Sequence, residues 1–263
     1  MNTMKSSDLK TSETPIREGS FFQVFENRIE LFWEDVGRFI IYEGGKMDTL
    51  PEKGVDPKRV AVYASGSPYT TQLFMRGHLV LHGSCLKVNG KIIGFLGFSG
   101  MGKSTTAKAM MRRGHDLISD DFIAFKDVHS SNELLPGLAQ MRLWGDALDY
   151  FGNPEEEKTQ IHPDHDKYSL DLEVDKNPPG PLSALFILDF AEEAGIEKLT
   201  GQDAFQSLLA QVKPLFYLHG KKEAQTFLQV GHLVNSIPVY KLKRVKDLSK
   251  LDSLLEKLEE EIA

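Results

Sequence analysis

The stretch Gly97-Phe98-Ser99-Gly100-Met101-Gly102-Lys103-Ser104 decides the fold. It fits the pattern G-x-x-x-x-G-K-[ST] of the P-loop, or Walker A motif, and we call residues 97–104 the glycine loop. The apolar residues Ile92–Leu96 before it predict a buried strand, and Lys103–Arg113 after it predict a helix that ends at Gly114. Because a strand, a glycine-rich turn and a helix in this order are the setting of a nucleotide-binding loop, we predict an α/β fold.

The residue types of the glycine loop suit a triphosphate and Mg²⁺. Glycines allow backbone N–H groups to converge on phosphate oxygens, and the following helix N-terminus adds partial positive charge. Lys103 supplies a cation for the β- and γ-phosphates, and the Ser104 hydroxyl is a candidate Mg²⁺ ligand. The alternative is a glycine-rich turn that caps a structural helix. The predicted ATP contacts are Gly97, Ser99, Gly100, Met101, Gly102, Lys103, Ser104 and Thr105.

Two adjacent carboxylates, Asp120 and Asp121, follow the short predicted strand Leu117–Ser119, which residues Phe122–Phe125 extend. We call Asp120 and Asp121 the acid pair. In a βαβ arrangement both loops lie at the carboxyl ends of neighbouring strands, so we expect the acid pair to face the phosphates. One carboxylate would help hold Mg²⁺ and the other would accept a proton from an attacking hydroxyl. The alternative is a solvated acidic turn.

A predicted hairpin delivers the glycine loop. Its arms flank Asn89-Gly90, a dipeptide typical of two-residue hairpin turns because both residues accept positive φ. His82 lies at the start of the first arm. A histidine there would tune an aspartate base or contact the γ-phosphate, and a structural role is the open alternative.

These elements together resemble the HPr kinase/phosphorylase family. The resemblance rests on His82-Gly83, the glycine loop, the Arg113-Gly114-His115 turn and the paired aspartates, and it covers roughly residues 79–125. It implies the P-loop kinase fold shared with phosphoenolpyruvate carboxykinase and ATP-dependent transfer to a serine hydroxyl. By position it implies that Lys103 and Ser104 serve ATP and Mg²⁺, Asp120 is the catalytic base, Asp121 is the metal-associated acid, and His82 is the histidine beside them.

The chain also departs from the bifunctional members of that family. Its first 78 residues do not look like their N-terminal domain, and the R-G-L-G type motif linked to the phosphorylase reaction is replaced by Pro136–Asp146. That stretch, with residues 166–168 and 238–242, resembles HPr-kinase-like kinases that phosphorylate the C-terminal serine of lasso-peptide precursors. This resemblance implies a catalytic role for Arg142 and a substrate contact for Lys167, whereas spacing alone favours two surface bases.

Composition limits the other functional classes. The 263 residues carry a formal net charge of −7, which disfavours a general nucleic-acid binder. A single cysteine, Cys85, excludes an intramolecular disulfide and is expected to be a small packed residue. We find no apolar run long enough for a membrane span, and the polar N-terminus lacks a secretory signal. We therefore expect a cytoplasmic protein without a membrane partner.

The organisation of the chain is predicted from its composition shifts. We predict a flexible lead-in over residues 1–19, a β-rich N-terminal portion over 20–77 that is strand-like throughout, and the HPr-kinase-like P-loop kinase domain over 78–263. Residues 153–167 read as a polar loop. The histidines His162 and His165 within it suggest either a metal site or, as we expect, exposed polar residues.

The functional prediction is an ATP- and Mg²⁺-dependent serine kinase. Its partner would be a peptide or small protein that bears an acceptor serine, and a homo-oligomer stays open. HPr itself or a small molecule is the alternative acceptor, and a nucleotide-binding regulatory module is the alternative from another class.

Overall fold

The structure is a computed structural model and describes residues 13–138, 140–145, 158–162, 165–171, 179–214 and 217–262. The chain divides into two compact units. The first comprises Met1–His78 and Pro214–Lys222, and the second comprises Leu79–Lys213 and Glu223–Ala263. Both mix helices and strands, and the N-terminal region is rich in strands, which confirms the predicted α/β class.

The first unit is built on a five-stranded antiparallel sheet in the order β1-β2-β3-β4-β5. Alternating residues of its strands are buried, for example Phe39 and Ile41, and they pack against Phe74 and Met75. Its elements are β1 (Arg17–Gly19), β2 (Phe22–Val24), β3 (Arg28–Trp33), β4 (Gly37–Tyr42), a 3₁₀ turn (Glu43–Gly45), β5 (Met47–Pro51), α1 (Pro57–Ala64) and α2 (Ser67–Met75).

The first unit corrects two expectations. The end of the predicted lead-in, residues 17–19, forms β1, while residues 1–12 lie outside the described residues. Helices α1 and α2 replace the predicted strands after residue 56. Asp56 caps α1 by accepting a hydrogen bond from the Lys58 backbone N–H at 2.9 Å, and proline stands at the start of each helix, so local start signals outweigh the strand-like composition.

The second unit is built on a six-stranded mixed sheet in the order β16-β17-β15-β8-β7-β9. Strands β8, β15 and β17 are parallel, and β7 and β16 run antiparallel to their neighbours. Helix α3 follows β8 directly, so the glycine loop lies at the carboxyl end of β8. The elements are β6 (Val80–Leu81), β7 (Gly83–Val88), β8 (Lys91–Leu96), α3 (Lys103–Arg112), β9 (Asp116–Ser119), β10 (Ile123–Asp127), β11 (Glu133–Leu134), β12 (Gln140–Trp144), β13 (Lys158–His162), β14 (His165–Asp171), β15 (Leu182–Phe190), β16 (Gly195–Leu199), α4 (Gly201–Leu209), α5 (Gly220–Ser236), β17 (Val239–Arg244), a 3₁₀ turn (Leu248–Lys250) and α6 (Leu251–Ile262).

Strand β7 lies between β8 and β9, so the glycine loop and the acid pair do not follow neighbouring strands as predicted. The Asn89-Gly90 turn folds β7 against β8, and β9 then adds to the free edge of β7. Because β7 is antiparallel to both, β8 and β9 are parallel to each other. Their carboxyl ends therefore still share one edge of the sheet, and this brings the acid pair toward the glycine loop.

One face of the sheet is covered by α3 and α6. The leucine spacing predicted for the C-terminal helix is confirmed, since Leu251, Leu254, Leu255 and Leu258 are buried. They pack with Ala107 and Met110 of α3 and with the sheet residues Phe95 and Phe186. Burial of leucine-sized side chains contributes roughly 1.5–3 kcal/mol each, so this layer fixes the position of α3 and of the glycine loop at its start.

Two further predictions are wrong in the second unit. Residues 123–127 do not extend β9; they form β10, which pairs with β6 and β11 in a separate sheet. The chain passes from β9 to β10 through Asp121, whose φ is 71°. Within the predicted loop 153–167, residues 158–162 form β13 and residues 165–167 begin β14, in a small sheet of order β12-β14-β13, and the rest of that loop lies outside the described residues. Within the described ranges, no helix is both long and apolar enough to cross a membrane.

Candidate active site

The glycine loop turns sharply between β8 and α3. Gly97, Gly100 and Gly102 all have φ values in the range that favours glycine, and Gly102 is the N-cap residue of α3. The loop closes on itself through a hydrogen bond from the Met101 N–H to the Phe98 carbonyl at 3.2 Å. Ser99 is exposed and Thr105 is half-buried. The loop thus presents backbone at the carboxyl edge of the sheet without side chains from its glycines.

The Lys103 side chain folds back over the loop. Its Nζ atom donates hydrogen bonds to the carbonyl oxygens of Gly97 at 2.8 Å and of Phe98 at 3.0 Å, and the residue is 7% exposed. A buried ammonium at the centre of a glycine-rich turn is a ready partner for an anion. Lys103 is therefore placed where a phosphate bound by the loop would meet it.

Asp120 is the buried member of the acid pair, at 3% exposure. Its Oδ1 atom accepts hydrogen bonds from Ser84 Oγ at 2.5 Å and from Ser104 Oγ at 3.1 Å. Ser84 comes from β7 and Ser104 from the first turn of α3, so three elements meet at one carboxylate. The glycine loop and the acid pair are thereby in direct contact through Ser104.

Asp121 is the more accessible member, with a side chain 21% exposed. Lys213 Nζ donates to Asp121 Oδ1 and to the Asp121 carbonyl oxygen, each at 3.2 Å. His82 Nε2 lies 3.6 Å from the same Oδ1. Lys213 thus holds the residue that connects β9 to β10, and it adds a cation beside the acid pair.

His82 is a neutral imidazole near pH 7. Its backbone N–H donates to the Gln211 carbonyl at 2.7 Å, which anchors the residue at the beginning of the hairpin. Desolvation lowers the pKa of His82 to about 4, aided by the charges of Lys213 and Lys103 and opposed by Asp121. A neutral ring beside Asp121 can accept or donate a hydrogen bond without adding a charge to the site.

A cavity of about 330 Å³ adjoins the glycine loop. Phe98 and Met101 line it on the side of the loop, and Gln206, Ser207 and Gln211 line it on the side of α4 and the turn after that helix. Gln211 is 3% exposed, and its side-chain oxygen has no hydrogen-bond partner within the described ranges. The cavity therefore offers an unused acceptor next to the loop.

The residues present fit ATP and Mg²⁺. Mg²⁺ usually takes one or two carboxylates, several waters and phosphate oxygens, and the contact between Ser104 and Asp120 provides a hydroxyl and a carboxylate beside the loop. Among the residues that the structure describes, no group of three or more His, Cys, Asp or Glu side chains is arranged as a protein-only metal cage.

The remaining predicted residues belong to the small sheet. Arg142 is on β12 opposite Ser169, and Lys167 is on β14 opposite Trp144. His162 and His165 face each other in the register of β13 and β14. The structure describes only the backbone positions of four of these residues, Arg142, His162, His165 and Lys167. The roles predicted for their side chains stay predictions.

Sequence reasoning did not find Ser84 or Lys213. Ser84 lies next to the Gly83 of the predicted hairpin, and a polar side chain within the buried strand β7 is the one available signal. Lys213 contacts Asp121, which lies 92 residues earlier in the sequence, and no local sequence pattern predicts such a contact. Cys85 is buried and free, as predicted, and burial raises the pKa of its thiol.

Comparison with known proteins identifies this region of the chain. Residues 74–143 match the family model described as HPr Serine kinase C-terminal domain. A curated relative, HPr kinase/phosphorylase from Clostridium beijerinckii, is 46% identical over 48 residues, or 18% of this chain and 16% of its own length. The segment is therefore HPr kinase-like, which confirms the resemblance seen in residues 79–125, and the match spans about a sixth of the curated relative.

Solved structures of other proteins are also similar. The HPr(Ser) kinase/phosphatase from Coxiella burnetii aligns with 12% identity and a TM-score of 0.30, over 70% of this chain and 92% of that chain. The family match and the site geometry, rather than this superposition, relate the chain to HPr kinases.

Proposed function

We propose that this protein is an ATP-dependent kinase of the HPr kinase kind that transfers the γ-phosphoryl group to a serine hydroxyl of a peptide or small protein. The observation that carries the proposal is the 3.1 Å contact between Ser104 Oγ and Asp120 Oδ1, because it joins the glycine loop to the acid pair. The family match over residues 74–143 covers both features.

The glycine loop would bind the triphosphate. Its backbone N–H groups and the N-terminus of α3 favour phosphate oxygens, and Lys103 would exchange its two loop carbonyls for the β- and γ-phosphates. Mg²⁺, when bound, supplies charge neutralisation at these phosphates. Ser104 and one carboxylate of the acid pair would hold it.

The contacts of the acid pair favour one division of roles. Asp120 is buried and bonded to Ser104, which suits the metal-associated carboxylate. Asp121 is more accessible and lies beside neutral His82, which suits acceptance of the serine proton. The family resemblance implied the opposite division, with Asp120 as the base, and substitution of each aspartate separates the two assignments.

Lys213 would stabilise the transfer. It is 22% exposed and bonded to Asp121, so its ammonium lies at the accessible side of the acid pair. A cation fixed near the transferring phosphoryl group stabilises the charge that develops there. Because its ammonium is bonded to both the side chain and the carbonyl of Asp121, Lys213 would act on the acid pair and the γ-phosphoryl group rather than on the glycine loop.

The acceptor we propose is the C-terminal serine of a lasso-peptide precursor. Support comes from the resemblance of residues 136–146, 166–168 and 238–242 to kinases of that kind. Arg142 and Lys167 remain proposed phosphate and substrate contacts. HPr or a small molecule on the same site is the alternative.

Phosphotransfer to a panel of acceptors tests this proposal. The purified chain is incubated with ATP and Mg²⁺ together with peptides that end in serine, the same peptides ending in alanine, and HPr, and intact mass reports phosphoryl addition. We expect addition to the serine-ended peptides, loss of addition in Asp120→Asn and Asp121→Asn, and no loss in Asp127→Asn, an exposed aspartate bonded to Ser130. ATP binding without transfer to any acceptor would favour the regulatory module.

A further inference from the structure

Arg244 is a buried cation next to the glycine loop. It ends β17 and is 4% exposed. Its Nη1 atom lies 3.5 Å from the Gly102 carbonyl oxygen and 3.4 Å from Thr106 Oγ1, which are long and weak contacts. Its Nε atom is buried and has no hydrogen-bond partner within the described ranges. The guanidinium is therefore poorly satisfied.

Three other arginines with largely buried side chains are paired with carboxylates. Arg28 and Arg38 contact Glu30 at 2.8 and 2.7 Å, and Arg113 contacts Glu259 at 2.7 Å. Arg244 has no such carboxylate contact among the described residues; its further contact is with the Phe190 ring, 5.2 Å from the guanidinium carbon. Burial lowers the pKa of Arg244, as expected for a cation without a counter-ion.

The position of Arg244 in the sheet indicates which anion would pair with its guanidinium. Its guanidinium fills the space beside Gly102, where the Cβ of any other residue would overlap Nη1. Strand β17 is parallel to β15, and β15 is parallel to β8, so Arg244 lies at the same edge of the sheet as the glycine loop. The acid pair follows β9 at one end of this sheet, whereas β17 lies on the other side of β8. Arg244 and the acid pair therefore flank the loop.

We propose that Arg244 is a binding residue for the phosphates at the nucleoside end of the bound nucleotide. A polyphosphate whose terminal phosphate and Mg²⁺ meet the acid pair has its other end directed toward Arg244. The phosphates supply the anion that the buried guanidinium lacks, and Arg244 extends the positive surface of the glycine loop beyond Lys103. This inference rests on the proposed function, since it requires a nucleotide in the loop.

Substitution of Arg244 by an apolar side chain of similar length tests the inference. Arg244→Met removes the charge and keeps much of the packing, and Arg244→Lys keeps a charge. Lys246→Met is the matched control, because Lys246 is exposed and its Nζ lies 5.8 Å from the same Phe190 ring. The measurements are calorimetric affinity for Mg·ATP and for ADP, and the free energy of unfolding without nucleotide.

We expect Arg244→Met to weaken binding of both nucleotides at least tenfold, Arg244→Lys to weaken it less, and Lys246→Met to bind as the wild type does. Without nucleotide, Arg244→Met should be as stable as the wild type or more so, because an unpaired buried charge is gone. Wild-type affinity in Arg244→Met, or equal losses in the Met and Lys variants, overturns this inference alone. A wild-type chain that binds neither nucleotide overturns it together with the proposed function.

Discussion

Ser104 Oγ and Asp120 Oδ1 lie 3.1 Å apart, and this contact joins the first turn of α3 to the end of β9. The contact depends on the order of three strands. Because β7 separates β8 from β9 and is antiparallel to both, the two carboxyl ends meet at one edge, and Ser84 of β7 bonds to the same carboxylate. The chemistry we propose depends on this arrangement of three adjacent strands.

The two glycines Gly100 and Gly102 provide a matched test of the loop. Their φ values are 83° and 85°, so alanine at either position carries the cost of the left-handed region, about 1–2 kcal/mol. At Gly100 nothing lies within 4 Å of an added Cβ, whereas at Gly102 the Cβ overlaps Arg244. We expect Gly102→Ala to lower the free energy of unfolding more than Gly100→Ala does, measured by denaturant titration without nucleotide. Equal losses of unfolding free energy in the two variants would mean that the Arg244 side chain moves away at no cost and does not constrain Gly102.

His82 should make the stability of the protein depend on pH. Its folded pKa is about 4 against 6.5 for an unperturbed histidine, so the unfolded state takes up the proton first as pH falls. The stability from neutral His82 is present above pH 6.5 and declines between pH 6.5 and 4, by about 2 kcal/mol at pH 5 and about 3 kcal/mol at the end of the window. Unfolding titrations at pH 7 and pH 5 measure it.

The control for this decline is His82→Gln, which cannot titrate. Its stability should fall less between pH 7 and pH 5 than that of the wild type. The contacts with Arg113 and His115 lower the pKa of Glu259 to about 2. The stability that Glu259 contributes is therefore lost only below about pH 5, so it does not affect a comparison between pH 7 and pH 5. The same slope in both proteins would show that His82 titrates normally in the folded state.

Lys213 is expected to affect turnover more than nucleotide binding. Lys213→Met removes the cation bonded to Asp121 and leaves the glycine loop untouched, so kcat should fall about tenfold to a hundredfold with a small change in KM for ATP. Lys126→Met is the matched control, because Lys126 pairs with Glu133 at 3.4 Å on an exposed surface. A rise in KM with unchanged kcat would place Lys213 in substrate binding instead.

The thiol of Cys85 should be unreactive in the folded protein. It is fully buried, and burial raises its pKa, so the thiolate that attacks disulfide reagents is scarce. A chromogenic disulfide reagent should modify one thiol per chain in denaturant and react at least a hundredfold more slowly without it. Rapid modification of the native chain would contradict the packed position of this residue.

The sequence predicted the elements whose signals are local. The turn at Asn89-Gly90, the helix from Lys103 and the buried strand Leu182–Phe190 each carry their signal within a few residues, and the structure confirms all three. Helix α1 differs from the prediction although Asp56-Pro57 is a helix-start signal, because the residues before it have a strand-like pattern and the helix is only eight residues long. The strands β13 and β14 were missed because charged and proline residues surround them.

The candidate site was predictable only in part, because some of its contacts join residues that are far apart in the chain. The glycine loop and the acid pair are motifs of adjacent residues, and they come together as expected. Arg244 meets Gly102 across 142 residues, and Lys213 meets Asp121 across 92, so both contacts exist only once the sheet has set its strand order. A lone basic residue at the end of a strand gives no sign in the sequence of the group it will face.

Calorimetric titration of ATP, with and without Mg²⁺, into the wild type and into Asp120→Asn tests the central claim most directly, because the claim is that the glycine loop and the acid pair act on one nucleotide. We predict that both proteins bind ATP through the loop, that Mg²⁺ tightens binding to the wild type, and that this gain is largely lost in Asp120→Asn. The same gain from Mg²⁺ in both proteins, or no ATP binding by the wild type, would contradict it.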